Sequence, residues 1–225
     1  MKANSRKGRR LVLLSALAAL ALAAPAAANK YKMTYRLTAE GQAAARAALV
    51  QKADFLGAPG WKSKTAKPDQ SAAAACNGYR PLQSDLVAIG DAKVIWDNTG
   101  TEIESEATVL QTPAMVETDW KRFIRTPGMV SCLRRSLEKE GSKSMKLVSV
   151  NRIGFPRVAP HLIVFRNVID YRVNGKTVRM LSDLILFANG RTESSLIVAG
   201  LYSIRSAIRA AEIRIAKNIV ARSTA

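Results

Sequence analysis

Residues 161–199 read HLIVFRNVIDYRV, NG, KTVRMLSDLILFA, NG, RTESSLIVA. Three runs rich in Val, Ile, Leu and Phe are parted by two Asn-Gly pairs, Asn174-Gly175 and Asn189-Gly190. Asn-Gly suits the type I′ turn, which needs positive φ at both central residues and matches the twist of the flanking strands. The stretch therefore predicts a three-stranded antiparallel meander over 161–173, 176–188 and 191–199. A two-residue loop at Asn174-Gly175 opposes Val173 to Lys176, and that choice fixes the register upstream. Arg166 then faces Asp183 and Asp170 faces Arg179, all on one side of the sheet. Val164, Val168, Leu181, Ile185 and Leu196 share that side. The four charged residues are candidate ligand-binding residues, with Arg166 and Asp183 orienting a polar group in a half-apolar groove. The alternative is two cross-strand pairs that set register and nothing more.

Working outward, residues 143–154 form another strand-like run, and a closing helix is expected over 203–221. Its stripe of Ile204, Ile208, Ala211, Ile215 and Ile219 advances by four, three, four and four residues, close to the helical period. Arg205, Arg209, Arg214 and Lys217 occupy its other faces. Near the start, Ala45, Leu49, Ala53 and Leu56 mark a helix over 39–56, stopped by Gly57, Pro59 and Gly60. Residues 61–81 read as an irregular loop. Strands follow over 85–96 and 101–111, joined through Asp97-Asn98-Thr99-Gly100. Thr112-Pro113 and Thr126-Pro127 each place a capping hydroxyl before a proline at the first helical position. The helices they begin present Val116, Trp120 and Phe123, then Val130, Leu133 and Leu137, with Gly141 as a stop. Helix, strands, helices, strands, helix is an α+β order. The expected architecture is an antiparallel sheet of about six strands with helices packed on it, in one domain over 29–225.

The first 28 residues have a different composition. Lys2, Arg6, Lys7, Arg9 and Arg10 precede the apolar run Leu11–Ala24, and Pro25 and Ala26-Ala27-Ala28 follow. This is the plan of a secretory signal peptide cleaved after Ala28, or after Ala26, and its apolar run is shorter than the roughly 20 residues of a spanning helix. An uncleaved anchor is the alternative, and Arg9-Arg10 leaves the twin-arginine route open. The expected location is secreted or extracytoplasmic.

The 225 residues include 35 Lys and Arg against 17 Asp and Glu, for a net charge of +18. Five basic residues leave with the leader, so 30 remain against 17, or +13. That excess favours anionic neighbours such as a wall polymer or lipid headgroups at the membrane surface. The leader, and the lack of aromatics interleaved with a basic stripe, argue against nucleic acid. In an exported chain the two cysteines, Cys76 and Cys132, read most simply as one disulfide, with two buried thiols as the alternative.

Residues for catalysis are sparse. The sequence has no Gly-x-Ser-x-Gly elbow, phosphate loop or dinucleotide fingerprint, and its one histidine, His161, follows Pro160 at a strand start. One His and two Cys exclude the usual zinc, haem and iron–sulfur ligand sets. Glu102, Glu104 and Glu106 point to one strand face, either as a solvated ladder paired with nearby Lys or Arg, or around a hard cation such as Ca²⁺. No cofactor and no metal are expected.

Cys76, the helical stretch carrying Trp120 and Cys132, Phe155-Pro156-Arg157, and Asn189-Gly190-Arg191 together resemble the exported α+β sensor-type domains of the PknH-like extracellular family, and more distantly PsbP-like folds. The resemblance spans roughly 35–222. It implies a non-enzymatic module with a groove beside the sheet for a small molecule. This chain departs from the kinase sensor domains in having one cysteine pair where they usually have two, and in lacking a kinase. The expected function is an exported, non-catalytic binding or sensor-type domain at the cell envelope. The alternatives are a structural or adhesion component held by charge, and a secreted hydrolase with an unrecognised site.

Overall fold

The computed structural model describes residues 29–71, 75–140 and 144–223. The leader reading over 1–28, the stop at Gly141 and residue 143 of the expected strand lie outside the described residues. Among the described residues, eight strands form one sheet: β1 Thr34–Tyr35, β2 Lys62–Ala66, β3 Val87–Asn98, β4 Thr101–Leu110, β5 Met145–Arg152, β6 His161–Val173, β7 Lys176–Asn189 and β8 Thr192–Leu201. Four helices accompany them there: α1 Ala39–Ala47, α2 Pro113–Ile124, α3 Met129–Glu140 and α4 Arg205–Ser223. The spatial order is β1-β3-β4-β8-β7-β6-β5, and β2 shares the outer edge of β3 with β1. Of these strands only β1 runs parallel to its neighbour. The α+β class, the C-terminal meander and the closing helix are as the sequence implies, with two strands more than expected.

The first hairpin has the expected register, Val173 opposite Lys176, and Asn174 (φ 50°) and Gly175 (φ 75°) both take positive φ. The second hairpin departs from the reading. Asn189 stays in β7 opposite Thr192, so Gly190-Arg191 is the loop, and there only Gly190 has positive φ (59°). The shift sets Ile185 opposite Leu196, both fully buried, where the expected turn would have opposed Ile185 to Ser194. Apolar matching outweighed the local turn signal.

Other boundaries differ for local reasons. The helix expected over 39–56 ends at Ala47, and Lys52–Phe55 forms a separate 3-10 turn. The 61–81 loop contains β2, an exposed edge strand whose Lys-Ser-Lys-Thr-Ala sequence lacks apolar alternation. Helix α2 starts as predicted, with the Thr112 hydroxyl accepting from the Met115 N–H and Pro113 in the first turn. Helix α3 begins at Met129 and not at Pro127, because Gly128 turns with φ 61°.

Helices α1 and α4 cover one face of the sheet. Ala45, Ala48 and Leu49 meet Ile208, Ile215 and Ile219 over Trp96, Ile103, Ala107, Ile185 and Leu196. Helix α1 packs unusually close: a Cβ on Gly41 would overlap the Ile89 carbonyl, and one on Gly90 would overlap the Gly41 carbonyl. The stripe of α4 is corrected at two points. Ile204 is 45% exposed, because a 3-10 turn over Tyr202–Ile204 precedes the helix. Glu212 is instead fully buried among the isoleucines. Lys217 and Arg205 stay exposed, whereas Arg209 and Arg214 are half-buried. Arg222 clamps the far end of α4, donating to the Ala47 carbonyl (2.9 Å), the Leu49 carbonyl (2.8 Å) and Asp54 (2.9 Å). Burial opposes the Asp54 charge, yet hydrogen bonds from Arg222, the Gln51 N–H and Asn218 hold its carboxyl below the ordinary range.

On the opposite face, α2 packs over β4 and β8 through Val116 and Trp120, and α3 lies along β5. No helix of the described residues is long and apolar enough to cross a membrane.

Candidate functional site

The four charged residues of the meander stand where the register puts them. Arg166 Nε donates to Asp183 Oδ1 at 2.7 Å, with a second bond from Nη2 to Oδ2, and Arg179 grips Asp170 at 2.7 and 2.9 Å. Their surroundings differ. The outer pair is open to solvent at Arg179, while Asp183 is fully buried beneath α4, beside Glu212. Burial raises the Glu212 carboxyl to about 8, and repulsion from Asp183 and a hydrogen bond donated to Asp183 add to it. At neutral pH Glu212 therefore carries a proton between its neighbours, with Arg209 beside it at 3.4 Å. Arg209 in turn caps the Phe155 ring at 4.1 Å and donates to the Gly154 carbonyl. Sequence reasoning found Arg166 and Asp183 through register and missed Glu212. Its position four residues after Ile208 and three before Ile215 was the available signal.

Cys76 and Cys132 are bridged, with Cα atoms 5.8 Å apart, inside the usual span for disulfides. The bridge ties the turn at 76–79 to α3. Asn77 adds a bond to the Pro127 carbonyl (3.0 Å), and the Tyr79 hydroxyl donates to the Arg122 carbonyl (3.2 Å). Arg122 also grips Asp85 with two bonds of 2.7 Å. The result is a pinned flap, α2–α3, standing over the sheet face that α4 does not cover.

Three cavities open under that flap. The largest, about 550 Å³, lies against the disulfide and is bordered by Gln83, Asp119, Phe123 and Leu133. The second, about 310 Å³, reaches the sheet at Ile163 and Phe165 and is bordered by Trp120, Phe123 and Met129. The third, about 220 Å³, is bordered by Glu106, Asp119, Trp120, Phe123 and Glu193. Phe123 borders all three, which together are called the groove: the second and third lie between the flap and the strands, and the first between the flap and the 75–83 segment. The rings of Trp120 and Phe123 lie 5.7 Å apart. His161, 2.7 Å from Glu117, packs at a tilt against Trp120 with ring centroids 5.2 Å apart and so buttresses this wall.

The carboxyls at the inner end of the groove are unevenly neutralised. Lys93 Nζ sits 2.6 Å from Glu104 and 3.3 Å from Glu106, so this part of the glutamate ladder pairs with a side chain. Burial still raises the Glu106 carboxyl, and Lys93 offsets part of that. Burial raises Asp119 as well, against a hydrogen bond with Gln83. Burial holds the Glu193 carboxyl well above its ordinary range, and repulsion from Asp119 adds to it. Its Oε1 is sealed from solvent and has no hydrogen-bond partner among the described residues. None of these groove residues except Trp120 and Phe123 stood out in the sequence, because β8 and α2 bring Glu193 and Asp119 together from far apart in the chain.

Fold and site together define an α+β domain with a disulfide-pinned groove on one face of its sheet. No protein-family model and no curated protein sequence matches the chain, so the resemblance to PknH-like and PsbP-like domains stands on its quoted residues. Among solved structures, an uncharacterized protein of Mycobacterium smegmatis (Rv0999 ortholog) is similar at TM-score 0.37 and 10% identity, over 77% of this chain and 96% of that one. LpqN of Mycobacterium tuberculosis, described as involved in cell envelope biogenesis, is similar at TM-score 0.28 and 13% identity, over 72% and 84%. Protein PA94 of Pseudomonas aeruginosa is similar at TM-score 0.28 and 6% identity, over 67% and 94%. Likeness at this level says nothing of what the chain binds.

Proposed function

We propose that this chain is an extracytoplasmic binding domain, acting without catalysis, whose ligand lies in the groove beneath α2 and α3. The convergence of three cavities on Phe123 carries the reading. The two larger volumes fall in the range of small-molecule sites, about 300–1,000 Å³, and apolar walls with a few polar groups are the usual make-up of such sites. The disulfide supports both halves of the reading: it fits an oxidising compartment, and it holds the groove wall in place without a ligand. The site therefore sits opposite the meander pairs. Arg166–Asp183 and Asp170–Arg179 hold the sheet register on the face covered by α4.

The test uses N-phenyl-1-naphthylamine, a neutral apolar dye that fluoresces on leaving water. The purified, disulfide-bonded chain is expected to take up one equivalent. Thr126→Trp, which puts an indole where two of the cavities meet, is expected to abolish uptake without changing the far-ultraviolet circular dichroism. No uptake by the wild type, or equal uptake by the variant, would refute the groove. Mass spectrometry of protein from its native compartment would report the mature N-terminus and any co-purified ligand.

A further inference from the structure

The inner end of the groove has a feature that apolar binding does not explain. Its two least compensated groups, Glu193 and Asp119, are carboxyls, in a chain whose Lys and Arg outnumber Asp and Glu by 18. Among the described residues no Lys or Arg borders this cavity. The nearby cations make their ion pairs with other groups, Lys93 with Glu104 and Glu106 and Arg122 with Asp85, although the Arg122 charge also offsets part of the burial of Asp119. Glu193 Oε1 is shut off from water with none of the described residues donating to it, although buried polar atoms are ordinarily paired. Two aromatic rings, Trp120 and Phe123, border the same space. Carboxyls whose charge burial disfavours release their proton when a cation sits beside them, and carboxylates beside aromatic rings in a partly dry cleft are the surroundings that substituted ammonium groups prefer, through charge pairing and attraction to the ring faces.

We infer that the groove takes an amphiphile whose polar end is a cation, an ammonium group seated on Glu193 and Asp119 with its apolar part running past Phe123 toward Phe165. This rests on the groove being the binding site and adds the chemical class of its ligand. The bulk field of so basic a protein draws anionic amphiphiles and repels cationic ones. A preference for a cation must therefore come from the cavity itself.

Two probes with the same tail and opposite heads separate these effects. Dodecyltrimethylammonium and dodecyl sulfate, each far below its micelle concentration, are titrated against the naphthylamine complex at pH 7. The ammonium is expected to displace half the dye at a concentration about tenfold lower than the sulfate. Glu193→Gln and Asp119→Asn are each expected to erase that preference, read as the ratio of the two half-displacement concentrations within the same variant. Either variant alone suffices if the other fails to fold, and the wild-type ratio is read independently of both. Normal dye uptake with the sulfate equal or better overturns the cation inference and leaves the groove standing. So does a preference that survives in the folded variants. Absence of dye uptake overturns the groove and the inference with it.

Discussion

Replacing Glu212 by Gln is expected to stabilise the protein at alkaline pH and to leave it nearly unchanged in mild acid. Glu212 is fully buried, and its carboxyl is raised from the ordinary 4.5 to about 8. The folded state therefore keeps a proton that the unfolded chain releases throughout that window. Stability from this group is fully present below about pH 4.5 and is lost as pH rises through about 8. A shift of this size, at about 1.4 kcal/mol per pH unit, corresponds to about 5 kcal/mol, which local relaxation reduces in practice. The glutamine amide copies the protonated acid of Glu212: neutral, of the same shape, and able to donate to Asp183. Urea unfolding of both proteins at half-unit steps from pH 4.5 to 9 gives the difference curve, in which other raised carboxyls such as Asp119, Glu193, Glu106 and Asp91 cancel. The variant's advantage is expected to grow from near zero to several kcal/mol. A difference curve flat to within about 1 kcal/mol, or a variant less stable at pH 9, would refute the protonated Glu212–Asp183 pair.

Reducing the Cys76–Cys132 bridge, or replacing both cysteines by Ser, is expected to cost about 4 kcal/mol by chain entropy for a separation of 56 residues, read in urea, and to weaken dye uptake. Gly90→Ala forces backbone against backbone at α1 and is expected to cost about 3 kcal/mol or more, whereas Gly175→Ala meets open space and costs about 1 kcal/mol for its positive φ; thermal unfolding separates the two. Arg222→Met strands the buried Asp54 and is expected to cost about 3–5 kcal/mol, part of it recovered by adding Asp54→Asn.

The meander was legible because its information is local: Asn174-Gly175 fixes both turn and register, and the alternating runs tell which side is buried. Local signals misled where a longer-range match competed with them. At Asn189 the Ile185–Leu196 pairing prevailed over a second Asn-Gly turn, and at Thr126-Pro127 the bend at Gly128 delayed the helix. Strand β2 was invisible because an exposed edge strand needs no apolar alternation. The groove was the least legible part. Its walls come from α2, α3, β6 and β8, and the meaning of Glu193 depends on Asp119 arriving from another element with no ion pair of its own. A glutamate between Thr192 and Ser194 carries no such mark in the sequence. Glu212 escapes notice for the opposite reason, since a stripe of isoleucines draws attention away from the acid within it.

Strand β8 is the last strand of the described chain and lies in the middle of the sheet, between β4 and β7. The early hairpin β3–β4 and the later run β5–β6–β7 have no shared border until Thr192–Leu201 slots between them. A chain that emerges amino end first, from a ribosome or through a membrane channel, thus carries two unfinished half-sheets with open edges. The keystone arrives after both of them, and of the described helices only the closing one, α4, follows it. Order of arrival delays locking of the sheet until Thr192–Leu201 has been made, so its closure rests on pairings between segments far apart in sequence.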